Sequence, residues 1–263
     1  MAHIVSITNQ KGGVGKTTTA INVAAGLSAM RKRVLLIDLD PQGNATSGSG
    51  IDHTAKTCLH LFIENTPVEQ VIQKSSYGYH VIPGNYSLTR CDIGIMNHPR
   101  KAFFLKQALA PIINNYDYIL LDCPPALNNL TLNAQGCAHY LIVPVQCEFF
   151  ALEGLTKLLG TIEQIKKQVN PDLKVLGLIR TMFDGRSRLT QYVSKELEKH
   201  FSDRVFNSVI PRNIKLAEAP SHGKPIMYHD PKSQGALAYL ALSAEIDRKA
   251  NARQYANLLK EPV

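Results

Sequence analysis

Lys11-Gly12-Gly13-Val14-Gly15-Lys16-Thr17-Thr18 decides how the rest of this chain is read. An apolar run at residues 4–8 leads into it and a helical pattern at 17–30 leaves it. A strand feeding a glycine-rich turn that opens a helix is an anion cradle. Glycines let the backbone curl until successive N–H groups face one point, and the helix start adds its positive dipole end. Lys16 is placed to reach the β- and γ-phosphates of a nucleotide, the Thr17 hydroxyl to ligate Mg2+, and Thr18 to bond a phosphate oxygen. The standard spacing G-x-x-x-x-G-K-[ST] asks for glycine at position 10, where Gln10 stands, so this loop departs from the template.

Working outward, apolar runs recur at 34–37, 80–82, 118–121, 140–143, 175–179 and 205–210. Most are nearly continuous Val, Ile and Leu, as in strands covered on both faces. Helical patterns lie between them, at 17–30, 101–115, 152–168, 188–200 and 234–250. In the first, Ala20, Ile21, Val23, Ala24 and Leu27 share one broad face. Strands alternating with helices predict an α/β fold: a doubly wound, mostly parallel sheet flanked by helices, in a single domain over 1–263. The stretch 43–79, rich in Gly, Ser and Thr, reads as the mobile part.

Two of these strands end in acids, at the edge where doubly wound sheets bind ligands. In Asp38-Leu39-Asp40-Pro41-Gln42-Gly43 the acids point the same way by period two. Asp38 is placed to hold Mg2+ through water, and Asp40 to orient an attacking water. Asp122, in Asp122-Cys123-Pro124-Pro125, is placed to hold the Mg2+ hydration shell. Glu148 stands after the strand at 140–143, at the same edge. Cys123 reads only as a small residue.

Composition sets the limits. The 263 residues are 44% apolar and 19% charged, which fits a folded globular chain. A formal charge of +8 favours polyanionic partners. Five scattered cysteines at 58, 91, 123, 137 and 147 show no C-x-x-C spacing and fit a reducing compartment. No run of about 18 apolar residues would span a membrane, and no secretory signal is expected.

Lys-Gly-Gly-Val-Gly-Lys-Thr resembles the deviant Walker A loop of the ParA/MinD ATPases, a branch of the P-loop NTPases. The strings Asp38-Leu-Asp-Pro-Gln-Gly-Asn-Ala-Thr-Ser, Pro144-Val-Gln-Cys-Glu-Phe-Phe-Ala-Leu-Glu-Gly and Glu218-Ala-Pro-Ser-His-Gly-Lys-Pro are similar to the chromosomal, Soj-like ParA branch. The resemblance implies an ATPase that takes ATP and Mg2+ and forms a homodimer sandwiching two nucleotides. Lys11 would be the signature lysine that touches the partner's nucleotide. Asp40 would be the hydrolytic acid of switch I and Asp122 the Walker B and switch II acid. Pro211-Arg212-Asn213 would be the turn beside adenine. Glu148 would pair with Lys11 or contact ribose across the interface.

The resemblance further implies non-specific DNA as a partner, a ParB-like protein that stimulates slow hydrolysis, and a cytoplasmic, nucleoid-associated location. Candidates for the basic surface are Arg186, Arg188, Lys215, Lys224 and Lys232. Larger plasmid relatives carry a helix-turn-helix domain before the loop; only eight residues precede Asn9 here, so none is expected. A Min-type membrane-associated ATPase is the alternative. The tail 251–263 has few bulky apolar residues and ends near Pro262, which is poor for membrane insertion, so no membrane partner is expected. A metal-cluster carrier would need a cysteine pair at its dimer interface. A scaffold that binds but does not hydrolyse would not need Asp40.

Overall fold

Eight strands form one sheet because their residues alternate between two apolar layers. Val34 and Leu36 point to one core and Leu35 and Ile37 to the other, and Tyr118 and Leu120 divide from Ile119 and Leu121 in the same way. A strand so covered must be apolar at every position, which is why these runs look continuous rather than alternating. The structure is a computed structural model and describes residues 2–52, 56–95, 98 and 100–258.

In chain order the elements are β1 (His3–Ile7), α1 (Lys16–Ala29), β2 (Val34–Asp38), α2 (Asn44–Gly48), α3 (Cys58–Phe62), β3 (Gln73–Lys74), β4 (His80–Ile82), α4 (Thr89–Gly94), α5 (Phe104–Leu109) and β5 (Tyr118–Asp122). There follow α6 (Asn129–Cys137), β6 (Tyr140–Gln146), α7 (Ala151–Gln168), β7 (Lys174–Phe183), α8 (Arg188–Phe201), β8 (Val205–Pro211), α9 (Ile214–Glu218), α10 (Ile226–His229) and α11 (Gln234–Leu258). The sheet order is β3-β4-β2-β5-β1-β6-β7-β8. Only the β3–β4 pair is antiparallel.

β1 lies between β5 and β6, and its first crossover passes β5 to reach β2. Its C-terminal end is therefore a topological switch point, where neighbouring connections leave in opposite directions and open a crevice. α1 starts in that crevice and packs against α11. A Cβ on Gly26 would come within 2.2 Å of the Ser243 hydroxyl, so only glycine lets the two helices approach this closely. The Thr19 hydroxyl and the Tyr239 phenol, 3.2 Å apart, add a buried bond between the same helices.

The expected helix at 101–115 is shorter. It is α5 followed by a separate 3-10 turn, Ile113–Asn115. Pro111 breaks it, having no N–H to donate to the carbonyl one turn back. β3 was not expected, and its two residues pair with β4 around a turn in which Gly78 has φ 86°. The stretch 43–79, expected to be mobile, holds α2, α3 and β3. Several of its small polar residues are buried and hydrogen-bonded: Thr46 to Asp38, and Ser49 to Tyr79. Residues 53–55 of that stretch lie outside the described residues, as do 259–263 of the tail. Among the described residues no helix is long and apolar enough to cross a membrane.

At the opposite edge of the sheet, the His139 ring accepts a hydrogen bond from the Ile4 N–H on Nδ1, at 3.1 Å. His3 rests on Tyr118 and Tyr140. Burial lowers the pKa of both histidines, so each prefers to stay neutral. Their contribution is complete above the unfolded-state value of about 6.5 and is lost as pH falls through the lowered folded values. Replacing His139 by Asn keeps an acceptor oxygen in reach of Ile4 but removes the titration. In thermal melts between pH 7.5 and 6.0, wild type should lose more stability than His139→Asn. Each kcal/mol corresponds to about 2–4 °C in a chain of this size. Parallel curves would contradict this account.

Candidate functional site

The phosphate loop turns on two left-handed glycines, Gly13 at φ 73° and Gly15 at φ 88°. Any other residue would be strained there, which accounts for glycine at both positions. The loop is pinned from the side by the Thr181 hydroxyl, which donates to the Val14 carbonyl at 2.9 Å. At its start, the Asn9 amide donates to the Pro144 carbonyl at 2.7 Å and its oxygen accepts from the Lys11 N–H at 3.0 Å. The loop is thus tied to β6 and β7, the strands on one side of β1.

Its two lysines face opposite ways. Lys16 is 7% exposed and its ammonium curls back to the Lys11 carbonyl at 3.2 Å. Burial lowers its pKa, while Asp122 and Asp40 oppose that. Lys11 is exposed and forms an ion pair with Glu148, with both side chains roughly half accessible. Glu148 is thus drawn into the site by contact with Lys11 in the same chain. Beside it Phe149 and Phe150 stack edge to face, 73% and 69% exposed.

The acids meet at neighbouring strand ends. Asp38 and Asp122 are register partners across β2 and β5, and both are fully buried. One Asp38 oxygen accepts from the Thr46 N–H at 2.8 Å and the Thr46 hydroxyl at 2.7 Å; the other accepts from the Asp40 N–H at 3.2 Å. Even so, burial pushes the Asp38 pKa up to about 6. Asp122 is worse placed: neither carboxylate oxygen has a hydrogen bond of good geometry. Its pKa is raised well above the ordinary range, first by burial and then by Asp38, with the nearby Thr17 hydroxyl partly opposing. A buried carboxylate with two open oxygens, beside a threonine hydroxyl at a helix start, fits a hydrated Mg2+. Asp40 lies at the surface of the same cluster, 9% exposed, its carboxylate accepting from the Gln42 N–H at 3.0 Å. Among the described residues no group of three or more His, Cys, Asp or Glu forms an all-protein metal cage. Mg2+ would therefore need phosphate oxygens and water to complete its shell.

A cavity of about 290 Å³ opens beside Gly15 and Thr18 and is walled by Met182, Pro211, Asn213 and Tyr239, with Arg212 at its edge. Met182 was not expected here. It sits in the left-handed region at φ 49°, a strained conformation in a non-glycine residue at the end of β7. The Asn213 oxygen caps α9 by accepting from the Leu216 N–H at 3.2 Å, which leaves its amide N–H groups for a ligand. Cys123 is buried 3.2 Å from the Ser6 hydroxyl, and burial pushes its thiol up to about 12, so it is an inert small residue.

Two of the basic candidates are paired with acids. Arg186 is highly exposed but folds onto Asp184 in its own loop, at 3.0 Å. Arg188 starts α8. Lys215 is paired with Glu218 at 2.9 Å. Lys224 and Lys232 are exposed, and neither has a carboxylate partner among the described residues.

A family model described as an AAA domain matches residues 2–175. The Bacillus subtilis sporulation initiation inhibitor protein Soj is 46% identical over 94% of this chain and 98% of its own. The Myxococcus xanthus chromosome partitioning protein ParA is 44% identical over 95% of this chain and 89% of its own. Among solved structures, the cobyrinic acid a,c-diamide synthase of Mycobacterium smegmatis, with a bound ATP analogue and magnesium, superposes with a TM-score of 0.81. It is 32% identical, with 93% of each chain covered. The septum site-determining protein MinD of Pyrococcus horikoshii, complexed with Mg-ADP, gives 0.78 at 27% identity, with 95% of this chain and 98% of its own covered.

Removing the unpaired charge should stabilise the empty protein. Asp122→Asn should raise the melting temperature without nucleotide, by an amount equivalent to about 1–3 kcal/mol. It should also remove the further rise that MgATP gives wild type. Differential scanning fluorimetry reads both, and a lower melting temperature in the empty variant would contradict this account of the site.

Proposed function

The chain belongs to the ParA/Soj family of partition ATPases, and from that membership we propose that it is a nucleotide-driven dimer switch that holds and releases DNA. MgATP fills the crevice at the end of β1. The base lies against Pro211, Arg212 and Asn213. The triphosphate lies along Gly12, Gly13, Val14 and Gly15, with Lys16 and Thr18 on its oxygens. Thr17 and Asp122 hold the Mg2+ shell, backed by Asp38. Bound Mg2+ would neutralise charge on the phosphates; positioning the water falls to Asp40.

Two copies then close face to face, and Lys11 leaves Glu148 for the partner's triphosphate. The observation that carries this reading is the division of labour between the lysines: Lys16 is buried in its own loop, while Lys11 faces outward. An ion pair as exposed as Lys11–Glu148 contributes only about 0.2–1 kcal/mol, so a triphosphate competes for Lys11 easily. Charge supplied in trans would offset what develops on the γ-phosphoryl group. Phe149 and Phe150, exposed at the same rim, supply apolar surface for the second copy to cover.

Closure sums the basic surfaces of two copies, drawn from Arg186, Arg188, Lys215, Lys224 and Lys232. Affinity for DNA falls with a salt slope of roughly −0.9 per neutralised phosphate, so doubling the contacts makes a steep switch. The dimer binds without regard to sequence in the cytoplasm, on the nucleoid. A ParB-like partner stimulates slow hydrolysis, and the copies separate and leave the DNA.

DNA binding measured with ATP and with ADP at two salt concentrations tests this. Wild type should bind only with ATP, and more weakly at the higher salt. Asp40→Ala should stay on DNA longer with ATP. Lys16→Ala should lose nucleotide, and Lys11→Ala should keep some nucleotide yet lose DNA. Equal DNA binding in ATP, ADP and no nucleotide would sink the switch.

A further inference from the structure

We propose that Thr46 is a positioning residue for hydrolysis: its hydroxyl links the end of β4 to Asp38 and so fixes where Asp40 stands beside Lys16. The inference rests on the reading of Asp40 as the residue that orients water, and gives a role to a residue that the spacing of the phosphate loop and of the strand-end acids leaves unassigned.

Thr46 lies in α2, completely buried. Its hydroxyl has one proton and two good partners. It donates to the Asp38 carboxylate at 2.7 Å and accepts from the Gly84 N–H at 2.9 Å. The Gly84 carbonyl, at 3.2 Å, is the weaker competitor for that proton, because a bond to an ionised oxygen is shorter and stronger. The direction of the chain is therefore set: Gly84 N–H to Thr46 hydroxyl to Asp38 carboxylate. The far oxygen of that carboxylate accepts from the Asp40 N–H at 3.2 Å. Asp38 thus serves as a fulcrum, with Thr46 and Gly84 on one arm and the backbone of Asp40 on the other.

The spacing leaves little slack. A Cβ on Gly84 would lie 2.5 Å from the Asp38 carbonyl oxygen and 3.0 Å from its carboxyl carbon. The end of β4 is thus seated directly on Asp38. The Cys58 N–H ties the start of α3 to the same place by donating to the Pro83 carbonyl at 2.9 Å. By contrast, the Asp40 side chain is oriented locally, its carboxylate accepting from the Gln42 N–H while its backbone carbonyl accepts from the Gly43 N–H. These bonds set its angle and not its distance from Lys16. That distance depends on the Asp38 clasp, and Thr46 closes the clasp.

The test separates positioning from folding. Thr46→Val keeps the shape and removes the hydroxyl; Thr46→Ser keeps the hydroxyl. Steady-state hydrolysis and the affinity for a fluorescent ATP analogue are measured for both, beside Asp40→Ala. A misplacement of about 1 Å can cost about 100-fold in rate. Thr46→Val should therefore lose about 10- to 100-fold in kcat while nucleotide affinity changes less than about threefold. Thr46→Ser should recover most of the rate. If Thr46→Val does not fold, Gly84→Ala, which pushes on Asp38 from the other side, should show the same split. The proposal is overturned by a wild-type kcat in Thr46→Val, by equal losses in rate and affinity, or by failure of Thr46→Ser to recover. If Asp40→Ala hydrolyses normally, the reading of Asp40 fails and this proposal falls with it. If Asp40→Ala is inactive and Thr46→Val is not, only the Thr46 assignment fails.

Discussion

Asp38 and Asp122 sit side by side at the ends of two central strands, buried, and neither Asp122 oxygen has a hydrogen bond of good geometry among the described residues. Everything else at the site answers to that constraint. A carboxylate in such a place raises its own pKa and destabilises the empty chain unless positive charge is brought to it. Lys16 is the nearest internal cation, but burial opposes its charge as well, and its ammonium is turned toward the loop carbonyl of Lys11. The cluster of Asp38, Asp122 and Lys16 thus does not satisfy its own charges. A metal ion bound with a nucleotide would complete it, which would couple stability to ligand occupancy by mass action.

The outer lysine follows a different logic. Lys11 has no buried partner to hold it, and its ion pair with Glu148 is open to solvent. A charge kept mobile at the rim can be exchanged between partners at little cost. The contrast between a buried lysine and an exposed one, five residues apart in one loop, is what would let the proposed switch respond to a second copy.

Much of this was legible in the chain. Glycine spacing followed by Lys-Thr announced the phosphate loop, because few other backbones need left-handed glycines just before a helix. Uniformly apolar strands announced a covered parallel sheet, and the acids at two of their ends, Asp38 and Asp122, prove to be register neighbours. What stayed hidden depended on contacts distant in sequence. Thr46 stood inside the quoted string that begins at Asp38, but its role did not show, since its partner Gly84 is 38 residues away. The strain at Met182 leaves no compositional trace. The helix at 101–115 was overestimated because apolar periodicity continued through Pro111. The β3–β4 hairpin was missed because a two-residue strand carries no periodicity. The basic candidates were legible as charges, but the pairing of Arg186 with Asp184 and of Lys215 with Glu218 appears only in three dimensions.

The central claim is that Lys11 makes self-association depend on the nucleotide held by another copy. Sedimentation velocity of wild type and Lys11→Ala, each saturated with a non-hydrolysable ATP analogue and Mg2+, tests it most directly. The account predicts a dimer for wild type with the analogue, a monomer with ADP, and a monomer for Lys11→Ala in both. A monomeric wild type at saturating analogue, or a Lys11→Ala variant that dimerises as well as wild type, would contradict it.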